Sequence, residues 1–182
     1  MFIIENFVNL INIIYLKLFF LIRKKILKKK IIIFFHPQKK QKSENIIFIE
    51  NLLNGYDKKK YDILYFYNDF QKKKNYYLVK ERYLNFLFNI DLFINNYITD
   101  NFPKNCKKIY IHHNIYDDPW VSKKKEKETC QRLSKYNFIF IATKEAKIGA
   151  EKMFKKNKIK SPNIIEVGYF KLDYLLKKIK YK

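Results

Sequence analysis

A chain of 182 residues has material for one good hydrophobic core or at most two small ones, which leaves room for one site and little more. Lys and Arg total 39 against 17 Asp and Glu, a net charge of +22 that attracts phosphate in any form: nucleic acid, anionic lipid, nucleotide or polyanionic polymer. The excess of Lys, Asn, Ile, Tyr and Phe is also what A/T-rich coding produces, so charge by itself assigns no function; the two cysteines, Cys106 and Cys130, lack CxxC spacing and read as reduced thiols.

The opening "MFIIENFVNLINIIYLKLFFLIRKKILKKK" (residues 1–30) carries its positive charge after the apolar run, the reverse of a signal peptide. A membrane span needs about 20 apolar residues, and Asn6, Asn9, Asn12 and Lys17 interrupt this stretch. At helical spacing Phe7, Ile11, Ile14, Leu18 and Ile22 share one face, while Glu5, Asn9 and Asn12 fall opposite, with Leu16 and Phe20 breaking that polar side. The pattern predicts an amphipathic helix lying in a membrane interface, held by its apolar face and by Arg23, Lys24, Lys25, Lys28, Lys29 and Lys30. Packing of the same helix on the protein or on a partner is the competing expectation.

From residue 31 apolar runs of strand length alternate with amphipathic stretches, the pattern of an α/β domain over 31–182. Strands are expected at "IIIFFHP" (31–37), "YDILYFYN" (61–68), "DLFINNYI" (91–98), "KIYIHH" (108–113), "NFIFIAT" (137–143) and "NIIEVG" (163–168). Helices are expected at "ENIIFIENLL" (44–53), at "YLVKERYLNFLFN" (77–89), and at "KEAKIGAEKMFKK" (144–156) with Thr143 as N-cap. Short connections imply parallel neighbours, and ligands of such sheets bind at the carboxyl ends of the strands. His36, His112, His113, Thr143 and Gly168 all come at or just after such ends.

No Gly-rich phosphate loop, HExxH, GxSxG or paired CxxC occurs. The Lys runs starting at Lys58, Lys72 and Lys123 read as solvated surface. Two stretches remain: "IYIHHNIYDDPW" (109–120), a strand ending in histidine, and "IIEVGYFKLDYL" (164–175), a strand ending in glycine before a helix.

Together they resemble the CDP-glycerol glycerophosphotransferase family of teichoic-acid and capsule polymerases. The family's V-G-x-x-K/R-x-D pattern is matched by Val167, Gly168, Lys171 and Asp173. "NFIFIATKEAKIGAEKMF" between the two motifs looks like the family's strand, Ser/Thr turn and amphipathic helix. The resemblance covers residues 31–176 and implies a Rossmann-like parallel sheet, the amino-terminal, acceptor-side lobe of a GT-B-type transferase, preceded by the amphipathic helix. It implies a CDP-linked donor held mainly by a second lobe, a polymer or lipid-linked acceptor, and work at the cytoplasmic face of the membrane in teichoic-acid or capsular polysaccharide synthesis. Because the stretch given ends at Lys182, a second-lobe chain is also expected, and the first alternative is that this chain is itself a non-catalytic remnant or partner subunit that keeps the acceptor-binding domain and needs another chain for donor binding.

Transfer needs a base within hydrogen-bond reach of the acceptor hydroxyl, and a neutral imidazole suits it. His113 or His112 is the candidate; the family has Gly after its histidine where this chain has His112-His113-Asn114, so either is the equivalent. Side chains alternate along a strand, so at most one of the two enters a cleft. Asp117 or Asp118 orients that imidazole or caps the next segment; Lys171, Thr143 and Gly168 form the phosphate side, and Asp173 caps the last helix. A divalent metal on His112, His113, Asp117 and Asp118 is disfavoured because adjacent histidines diverge, and no cofactor is expected. A basic membrane-surface or nucleic-acid binding protein is the second rival, expected to bind mixed-sequence RNA with a steep salt slope.

Overall fold

The computed structural model describes residues 2–36, 59–67, 76–112 and 125–168. It is an α/β, Rossmann-like structure with an amino-terminal helix, and its chain divides into two compact units. The first comprises Met1–Gln41 with Tyr56–Lys108, the second Lys42–Gly55 with Ile109–Lys182.

In the first unit a long helix α1 (Phe2–Lys25) precedes strands β1 (Lys30–His36), β2 (Tyr61–Tyr67), β3 (Tyr76–Leu78) and β4 (Leu92–Asn95). The strand order is β3-β2-β1-β4 and every pair is parallel. β1 is apolar on both faces because both are buried: Ile31, Ile33 and Phe35 enter the core under α1, while Ile32 and Phe34 are also buried. A continuous apolar run is what a two-sided parallel strand requires.

Helix α1 belongs to that core. Asn9, Ile13, Leu16 and Phe20, one stripe at helical spacing, are buried. Asn9 Oδ1 accepts a 2.9 Å hydrogen bond from the Lys80 amide, and Asn12 Nδ2 donates to the Leu78 carbonyl at 3.0 Å. The asparagines that read as the solvent side thus serve the backbone leaving β3. The basic run after the helix is partly spoken for as well. Arg23 and Lys29 pair with Asp62 at 3.6 and 3.2 Å, and Lys24 pairs with Asp91 at 3.0 Å. Asp91 also accepts from the Ile31 amide at 2.9 Å, tying the helix end to the start of β1.

The expected helix over 77–89 is not formed. Tyr76–Leu78 instead pairs with β2, Tyr65 opposite Tyr76, and only Glu81–Phe86 makes a short 3-10 helix, in which Leu84 alone is buried. Aromatic side chains suit a pleated strand, and the two asparagine bonds hold the chain extended at Lys80, whose φ and ψ are −69° and 144°. The expected helix over 44–53 lies outside the described residues.

The second unit takes up β5 (Lys107–Ile111) from Ile109 and adds α2 (Glu126–Leu133), β6 (Phe138–Ile141), α3 (Lys144–Lys156) and β7 (Asn163–Glu166). Its strands run β5-β6-β7, all parallel, a βαβαβ unit. Cys130 and Leu133 from α2 and Ala150, Met153 and Phe154 from α3 are buried with Ile139, Ile141 and Ile164. Glu126 joins the helices, accepting from Lys156 Nζ at 3.0 Å and Asn157 Nδ2 at 2.6 Å.

Thr143 is the N-cap of α3, as expected: its backbone is extended and Oγ1 accepts from the Ala146 amide at 3.2 Å. Thr143→Ala should therefore destabilise the second unit by about 1 kcal/mol, read as a lower urea midpoint with unchanged slope. Thr143→Ser should restore most of it.

Candidate functional site

The carboxyl ends of β5, β6 and β7 bring three of the expected residues to one edge. In register Ile111 stands opposite Phe140, and Ile141 opposite Glu166. The ladder continues one bond further on each side, with the His112 amide donating to the Phe140 carbonyl and the Val167 amide to the Ile141 carbonyl, both at 2.9 Å. His112, Thr143 and Gly168 follow directly from these rungs. The α3 N-terminus opens at the same edge, where first-turn amides need partners from outside the helix and the macrodipole favours an anion. Thr143 satisfies one of those amides itself, and Glu145 occupies the first turn.

Gly168 has φ +79°, the left-handed region in which a Cβ is strained, although no atom would obstruct one there. The glycine is thus required by the backbone turn out of β7 rather than by a crowded neighbour.

His112 is buried, 7% exposed, with its ring centroid 6.4 Å from that of Tyr110, which in turn packs 5.7 Å from Tyr136. Residues 110 and 112 point to the same side of the strand, so the imidazole sits over the tyrosines. His113, Asp117, Asp118, Lys171 and Asp173 lie outside the described residues. His36 ends β1 in the first unit, opposite Tyr67 in register.

Sequence reasoning missed a polar cluster in the first unit. With strand order β3-β2-β1-β4, the topological switch point falls between β1 and β4, the position where open parallel sheets bind ligands. β4 ends there in Asn95, opposite Phe35 in register, and Asn95, Asn96 and Thr99 are all buried. The Thr99 hydroxyl donates to Glu81, and Asn95 Nδ2 to the Tyr97 carbonyl. The available signal was "NN" closing an apolar run, two amides where a buried strand otherwise carries hydrocarbon. Burial pushes the Tyr97 phenol above its usual range.

Thiol chemistry is disfavoured. Burial pushes Cys106 up to about 11, and burial, reinforced by the neighbouring Glu126 carboxylate, pushes Cys130 up to about 11 as well. Neither forms the reactive thiolate near neutral pH. Among the described residues no three His, Cys, Asp or Glu side chains gather as a metal site. Comparison of the chain with family models, with curated proteins and with solved structures finds no match, so the fold and this strand-end edge are what a functional reading stands on.

Proposed function

We propose that the chain acts as a CDP-glycerol glycerophosphotransferase-like lobe in teichoic-acid or capsular polymer synthesis, binding a phosphate-bearing ligand at the carboxyl edge of β5-β6-β7. The observation that supports this reading is the juxtaposition of Thr143 at the start of α3 with Gly168, which takes a positive φ at the end of β7 directly ahead of the matched Lys171 and Asp173 in sequence. Helix-end amides and the Lys171 ammonium are suited to phosphate. A CDP-linked donor and a polymer or lipid-linked acceptor are the ligands that fit, with a second lobe on whatever chain carries it.

The test is incorporation of labelled CDP-glycerol into polymer by membranes containing the protein, alone and with a second Rossmann-like lobe supplied in trans. Lys171→Ala should raise KM about 10-fold or more with kcat little changed, since a removed point charge weakens ground and transition state alike. Absence of both incorporation and CDP-glycerol binding in either arrangement would overturn the proposal. A second reading, a lobe that binds acceptor without turnover, is favoured by the burial of His112. It predicts saturable binding with no incorporation.

A further inference from the structure

Docking of α1 through Asn9, Ile13, Leu16 and Phe20 leaves its other side bare. Phe7, Leu10, Ile11, Ile14, Leu18 and Ile22 are all exposed, Phe7 to 63% and Leu18 to 57%. On a wheel of 100° per residue they fall within one sector, so they form a continuous stripe along the helix. The apolar surface continues beyond the helix. Lys17, at the rim of the stripe, lies 6.0 and 5.7 Å from the ring centroids of Phe86 and Phe88, both exposed. A soluble surface rarely carries so large an apolar patch without an occupant.

Charge selects that occupant. Lys25, Lys28 and Lys30, beyond the end of the stripe, are exposed, whereas Arg23, Lys24 and Lys29 are tied to Asp62 and Asp91. A second copy would bring another +22 against the first, a repulsive pairing. A surface with hydrocarbon beneath and negative charge above satisfies both features.

We infer that the exposed face of α1 docks on an anionic lipid bilayer, the helix lying in the plane of the interface with its opposite face still packed on the sheet. Asn6–Lys25 has the length and hydropathy of a span, with mean hydropathy 1.4. The docked stripe keeps it on the surface: spanning would strip Leu16 and Phe20 out of the core and the Asn9 and Asn12 bonds from the backbone at Leu78 and Lys80. The basic residues divide accordingly, one set fastening the helix to its own protein and the other facing lipid headgroups. This inference is independent of the transferase reading, because lipid binding needs no nucleotide.

The experiment is co-sedimentation of the full chain with vesicles of phosphatidylcholine alone or with 30% phosphatidylglycerol. Wild type should bind the anionic vesicles, less so as salt rises. Ile14→Glu with Leu18→Glu should lower partitioning about 100-fold, two buried apolar chains being lost to charge. Lys25→Gln, Lys28→Gln and Lys30→Gln together should lower it about 10-fold or more. Circular dichroism melts near those of wild type would show the fold kept, as both sets of positions are exposed. Unchanged binding in both variants would overturn the inference. So would retention in membranes after high-pH carbonate extraction, the mark of a span, or a dimer dissolved by the Glu variant with no vesicle binding, the mark of self-association.

Discussion

Phe20→Ala is expected to destabilise the first unit by about 3–5 kcal/mol, the largest effect of any single substitution in α1. Phe20 is fully buried, edge-on to Phe19 at 5.9 Å, and clusters with Ile31, Ile33, Phe35 and Phe93. Truncation removes the ring's transfer free energy and leaves a cavity that a sheet pinned by parallel ladders closes only in part. Domains are stable by about 5–15 kcal/mol in total, so this one ring accounts for a large share, and urea unfolding followed by circular dichroism should show the midpoint fall clearly. Ile14→Ala, six residues earlier on the exposed face, should shift it by less than about 0.5 kcal/mol. Equal, small effects at both positions would mean that α1 is not part of the core.

Within the proposed transfer reaction, His113→Ala is expected to lower turnover about 100-fold or more, the usual scale for losing a general base, with folding intact. His112→Ala should act differently. Its imidazole is buried beside Tyr110, so its loss should cost about 1–3 kcal/mol of stability, with turnover nearly unchanged at temperatures where the variant is folded. Steady-state kinetics with labelled CDP-glycerol, paired with thermal melts, separates the two. The pH profile adds a readout: a base that must be neutral gives a rate falling on the acid side, and His113→Ala should flatten that limb. Near-wild-type turnover in both variants would leave "IYIHHNIYDDPW" as a polar strand end without catalytic meaning.

The strands with continuous apolar runs were legible because burial on both faces leaves one kind of residue to choose. "IIIFFHP", "YDILYFYN" and "NFIFIAT" each became a parallel strand within one or two residues of the expected bounds. Helix α3 and its cap were equally clear, since Thr143 followed by an amphipathic period is a local signal whose hydrogen bond closes within four residues. The stretch 77–89 misled for the opposite reason. Its spacing of leucines and aromatics is helical, but the β2 edge and the Asn9 and Asn12 side chains, more than 60 residues away in sequence, impose an extended path on its first half.

The edge formed by His112, Thr143 and Gly168 was half visible. That each closes a strand could be read directly; that they leave one edge of three adjacent strands required the register of β5, β6 and β7. Only the "NN" closing an apolar run marked Asn95 and Asn96 locally, and it pointed to no site by itself, because the switch point exists only once β4 has been laid beside β1.

Residue pattern alone therefore determined the α/β class, the parallel strands other than β3, the capped helix α3 and the presence of an apolar stripe along α1, all of which show in the local run of residues. Which side of α1 is buried was decided only by tertiary structure. Both of its sides offer large apolar groups, and the choice fell to the side whose asparagines could meet the amide of Lys80 and the carbonyl of Leu78. Buried backbone groups must find partners, and that requirement set Leu16 and Phe20 into the core and turned Phe7, Ile14 and Leu18 outward.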